Sequence, residues 1–142
     1  MKNTLVIILL FVFCQSICHA QGERKRKFYD KGTVLRSPAG FYDDETYVAS
    51  TNPNDNLLIG VATGNHNPRK KSDFVCTGGV SEVKYNYENG SIQEGDLVTS
   101  SSKTGEAMKA TQSGIVLGIA LENTDSPSGL VKVRVLIQYV KL

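Results

Sequence analysis

Apolar and polar positions alternate along most of this chain, and the alternation has a period of two. Val83, Tyr85 and Tyr87 are separated by Lys84 and Asn86, and Val131, Val133, Val135, Ile137 and Tyr139 by Lys132, Arg134, Leu136 and Gln138. That spacing places one face of each segment on a core and the other in water, as in half-buried strands. Residues 57–63 are almost wholly apolar, short and bounded by turn residues, which predicts a strand buried on both faces, with Gly60 at a bend or a close backbone approach. Residues 46–50 are rich in β-formers and stop at Asn52-Pro53, whereas residues 33–36 read as a short edge strand. Beyond residue 20 no stretch of helical length carries an apolar stripe at i, i+3 and i+4.

The strands are punctuated by turns. Asn89-Gly90 predicts a hairpin turn, and Glu94-Gly95-Asp96 a second tight turn, because glycine reaches positive φ without a Cβ clash. Short apolar runs lie between and after them: Leu97-Val98, Ala107-Met108 and residues 115–121. Strands this closely spaced cannot bury a face alone. The expected fold is all-β, a small barrel of about eight short strands.

The N-terminus has a different pattern. Lys2 precedes an unbroken apolar run over residues 5–13, and Cys18-His19-Ala20 offers small residues to a signal peptidase. This predicts a cleaved secretory signal over 1–20, since the run is shorter than the roughly 18 residues of a spanning helix. A basic arm and linker would follow over 21–45, and the barrel domain over 46–142. The product would be secreted, periplasmic or displayed at the cell surface.

Composition narrows the chemistry. Cys14 and Cys18 lie in the predicted signal, so Cys76 alone remains afterwards and no internal disulfide is expected. Charge is nearly balanced, 16 Lys+Arg against 14 Asp+Glu, but Arg24, Lys25, Arg26 and Lys27 stand in a row. They form a solvated arm or a means of attachment to an anionic surface. Nucleic acid is not expected, because an exported barrel without a wider basic face has only this arm to offer.

Candidate nucleophiles are few. Ser100, Ser101 and Ser102 adjoin Lys103, and a Ser/Lys pair needs a desolvated lysine as base; Lys109 or Lys132 is an alternative base. His66 lies in a polar loop, and a triad would need it beside a serine and Asp73 or Asp96. The competing reading is that the serines satisfy a turn and His66 is a surface residue. His66 and Cys76 supply no zinc spacing, and Asp43-Asp44-Glu45 and residues 52–56 lack the order of a calcium loop, reading instead as solvated acidic turns. No metal or cofactor is expected, and no phosphate cradle.

The central phrase is distinctive. Asn89-Gly90-Ser91-Ile92-Gln93-Glu94-Gly95-Asp96-Leu97-Val98-Thr99-Ser100-Ser101, then Gly105-Glu106-Ala107-Met108-Lys109-Ala110 and Gly114-Ile115-Val116-Leu117-Gly118, resembles the autoproteolytic intramolecular-chaperone β-barrel domain of phage neck and tail appendage and bacterial surface proteins. The resemblance spans residues 47–140. It implies a small barrel and a place in an oligomeric, exported assembly. The expected function is therefore a non-enzymatic binding or assembly module that self-associates or meets another surface protein. The alternative is a serine-based self-cleaving or hydrolytic domain.

Overall fold

The computed structural model describes residues 27–38, 47–67, 69 and 74–142. The predicted signal, Arg24, Lys25, Arg26 and Asp43-Asp44-Glu45 lie outside these residues. Among the described residues there are nine strands and no helix. They are β1 (Val34–Arg36), β2 (Val48–Ala49), β3 (Leu58–Ala62), β4 (Val75–Cys76), β5 (Gly78–Asn86), β6 (Leu97–Ser100), β7 (Ala107–Lys109), β8 (Gly114–Ala120) and β9 (Ser128–Val140). The chain is all-β, as the period-two pattern predicts.

Five strands close the barrel, in the order β5-β7-β6-β8-β9, and four form a separate sheet, β2-β1-β3-β4. The barrel is antiparallel except at its closure, where β5 and β7 run parallel through the single pair Tyr85↔Ala107. Its longest ladder joins β5 to β9, from Gly78↔Leu136 to Asn86↔Ser128. Between Val116 and Gly118 the β8–β9 register shifts, and a Cβ on Gly118 would collide with the Arg134 carbonyl. Only glycine lets the two backbones approach this closely at the bulge.

One core serves both sheets. Val83, Tyr85, Val98, Leu117, Val131, Val133 and Val135 fill the barrel, and Val34, Leu58 and Val61 of the four-stranded sheet join the same cluster. Ile92, which belongs to no strand, is completely buried among them. It is held by Thr124, whose hydroxyl donates to Ile92 O (2.9 Å) and accepts from Ile92 N (3.1 Å).

Three local expectations are corrected. Residues 33–36, read as an edge strand, contain β1, an interior strand between β2 and β3 with Val34 and Leu35 fully buried. The polar neighbours that suggested an edge lie on either side of the strand, not within it. Asn89-Gly90 is a turn, with Gly90 N donating to Tyr87 O and φ near 94° at Gly90, but it joins no hairpin. The neighbours of β5 are β7 and β9, so the chain leaves this turn for a strand that does not pair with β5. Third, the alternation of β9 fades at its end: Ile137 is half-buried and Tyr139 is 67% exposed, because β9 outruns β5 at Gly78↔Leu136. Gly60 behaves as expected: a Cβ there would meet the Cys76 carbonyl of β4.

Candidate functional site

The three serines end β6 and begin the turn to β7, and each takes a different environment. Ser100 is completely buried. Its hydroxyl donates to Asn52 O (2.8 Å) and accepts from Asp55 N (2.8 Å), while its carbonyl accepts from Asn54 N (3.0 Å). It therefore pins the 50–57 loop to the barrel wall.

Asp55 completes this polar cluster. It is buried, against the expectation of a solvated acidic turn, because its carboxylate organises the loop around it. Oδ1 accepts from Leu57 N (2.9 Å) and Oδ2 from the Ser50 hydroxyl (3.1 Å). Arg36 of β1 places Nε 2.7 Å from Oδ2, an ion pair whose N–H lies off the hydrogen-bond line. Charge at the centre of a contact between sheets is tolerated only because it is paired and bonded.

Ser101, also fully buried, has a second set of partners. Its hydroxyl donates to Glu106 O (3.1 Å) and accepts from the Asn86 amide (2.8 Å), which also donates to Glu106 Oε2 (2.8 Å). Ser102 is exposed, and both its amide and its hydroxyl donate to Glu88 Oε2 (2.8 and 2.9 Å). Lys103 is exposed on the turn, and its backbone N–H donates to Ser101 Oγ (3.2 Å). The serine protons thus go to carbonyls and a carboxylate, and the acceptors are fixed by strand ends.

The other candidate groups lie apart. His66 is exposed in the β3–β4 loop and packs on Phe28, ring centroids 5.2 Å apart. Lys109 pairs with Asp96 at 2.8 Å, and Lys132 with Glu122 at 3.6 Å. Burial alone would raise the Asp96 carboxyl, but hydrogen bonds from Lys109 and the Gln93 N–H outweigh it and leave the carboxyl below its ordinary value. Cys76 is free and half-buried, its thiol donating to Gly78 O (3.2 Å). Among the described residues no three His, Cys, Asp or Glu side chains converge on a metal position. Asp73 lies outside the described residues.

Sequence reading singled out the serines but missed their partners. Nothing in the string joins Ser100 to Asp55 or Ser101 to Asn86, since those contacts span 45 and 15 residues, the first arising where the 50–57 loop packs on the barrel and the second within the closed barrel. The class this architecture defines is an all-β protein built of a five-stranded barrel and a four-stranded sheet on one core. Comparison with protein-family models, with curated proteins and with solved structures finds no significant match. Among the described residues, no helix is long and apolar enough to cross a membrane.

Proposed function

We propose that this chain is an exported, non-enzymatic β module that works by binding and assembly, including association with itself. The observation that carries the reading is the far end of β9. Residues 137–140 lie beyond the β5 ladder, beside β8 alone, so that their other backbone edge has no strand partner among the described residues. Leu136 is 49% exposed there, and Val80 of β5, 60% exposed, sits diagonally across from it on the same outer face. An open edge bordered by exposed apolar side chains is a template for strand addition. The resemblance of the central phrase to appendage barrels points the same way.

The serine-based alternative has less support. A nucleophilic serine needs a neighbouring base free to take its proton. Ser100 and Ser101 instead donate to backbone carbonyls, with backbone or amide N–H groups bonded to their oxygens.

Sedimentation of the purified protein at micromolar concentration, together with its intact mass, tests both readings. The expected result is a dimer or higher oligomer of uncut chains, reduced to monomer by Leu136→Lys. A monomer that breaks near residues 100–102, and no longer breaks when Ser102 is replaced by Ala, overturns the reading.

A further inference from the structure

Of the chain's nine asparagines, Asn89 alone is followed by glycine. The backbone nitrogen after an asparagine can attack that residue's own side-chain amide carbon and close a cyclic imide. Glycine makes the attack easiest, because it has no side chain to crowd the nitrogen and the least restricted backbone. Here the reactive bond stands on the turn that follows β5. Gly90 is exposed, and a Cβ built on it would meet nothing within 4 Å, so no packed side chain shields it.

Two hydrogen bonds restrain the reacting groups instead. Gly90 N donates to Tyr87 O (3.0 Å), which engages the proton that the nitrogen has to lose before it can attack. Asn89 Nδ2 donates to Lys109 O (3.0 Å), which holds the half-buried amide on the end of β7.

That second bond lies where the barrel closes. Strands β5 and β7 meet in parallel through one pair, Tyr85↔Ala107. Side chains carry the closure further. The Asn86 amide donates to Ser101 Oγ and Glu106 Oε2, Glu88 Oε2 accepts from Ser102, and Asn89 reaches Lys109 O. The Asn89 amide is therefore both the reactive group and a tie across the seam.

We infer that Asn89–Gly90 is a self-modification site, restrained by the closed barrel, whose reaction removes a tie between β5 and β7. The step needs only the chain and water. Once Gly90 N has lost its proton, its electron pair bonds to Asn89 Cγ. The Cγ–Nδ2 bond then breaks, and the departing nitrogen takes a proton from solvent and leaves as ammonia. Water opens the imide at either carbonyl, giving an aspartyl residue or an isoaspartyl link whose main chain runs through the side chain. Nothing is oxidised or reduced. Neither product keeps Nδ2, so Lys109 O loses its donor, and each adds a negative charge next to Glu88 in the chain. No partner is required, so the inference is independent of the assembly reading.

Incubating the purified full chain at physiological temperature and mildly alkaline pH tests it, with ammonia release and peptide mapping of isoaspartate at position 89 as readouts. Both are expected to rise with pH, because the attacking nitrogen must shed its proton. They should run roughly tenfold or more faster in guanidinium chloride, since two hydrogen bonds restrain the native site and tenfold corresponds to about 1.4 kcal/mol. Asn89→Gln should abolish both, because glutamine would have to close a larger, slower ring. Asn89→Asp supplies one product without the reaction, and it should speed hydrogen exchange at residues 107–109 several-fold, more than in β3. Parent chain aged until it carries the product, then purified by ion exchange, should show the same local change.

Release that is equally fast with and without denaturant, or absent from both, overturns the proposal. So does a product that maps to another asparagine. Exchange that is unchanged in both the Asn89→Asp variant and the aged chain, or faster to the same degree throughout, shows that the amide is no tie across the seam and overturns it too.

Discussion

Ser100 shows how one hydroxyl joins distant parts of this chain. Replacing it with Ala leaves Asp55 N–H buried without an acceptor, and such a loss costs about 1–3 kcal/mol. Ser101→Ala is expected in the same range, since the Asn86 amide loses an acceptor. Ser102→Ala should change stability by only about 0.5 kcal/mol, because water replaces its exposed contact with Glu88. Denaturant melts of the three variants check this order, and equal effects would mean the buried networks are not formed. Asp96 makes a pH-dependent contribution. Its folded carboxyl is lowered below its unfolded value, so the stability it supplies is present above the ordinary carboxylate pKa. That stability is lost as pH falls through the lowered folded value. Asp96→Asn should therefore flatten the acid limb of the stability–pH curve and leave its alkaline limb unchanged.

At the level of elements, β9 separates what its sequence announces from what its neighbours decide. Alternation alone places Val131, Val133 and Val135 inward and Lys132 and Arg134 outward, and the burial follows it. Whether Ile137 and Tyr139 are covered depends on how far β5 extends beside them, which no local pattern encodes. Val133→Ala should therefore cost about 2 kcal/mol or more, Ile137→Ala about 1–2, and Lys132→Ala within about 0.5, all read from urea midpoints. The turn at Asn89-Gly90 was legible for the same local reason, because positive φ favours glycine. Its partners were not, because strand order is a property of the closed barrel. Ile92 was missed because it stands alone between turns, without the periodicity that marks a strand. The serines were visible as a cluster, yet their role became clear only with Asp55, Asn86 and Glu88 beside them.

At the scale of the whole molecule, the described residues form two sheets that share one hydrophobic cluster, and this decides how the fold should open. Val34, Leu58 and Val61 pack into the cluster that fills the barrel, so neither sheet keeps its apolar face covered without the other. The Ser100 bonds to Asn52 and Asp55 span the same boundary with polar contacts. Separating the sheets would uncover apolar area and also break the buried bonds of Ser100 to Asn52 and Asp55, and both costs fall on one event. Thermal unfolding is therefore expected to be a single transition. Leu58→Ala in β3 and Val133→Ala in β9 should each lower that one transition, the first by roughly 2–5 kcal/mol for a buried leucine. Native-state hydrogen exchange gives the sharper check. Leu58→Ala should speed exchange of the most protected β5 and β9 amides as much as those of β3, since all open through the same global event. Slowed or unchanged exchange in the barrel, with loss of protection confined to β1–β4, would show that the four-stranded sheet opens by itself and that the shared core does not bind the two together.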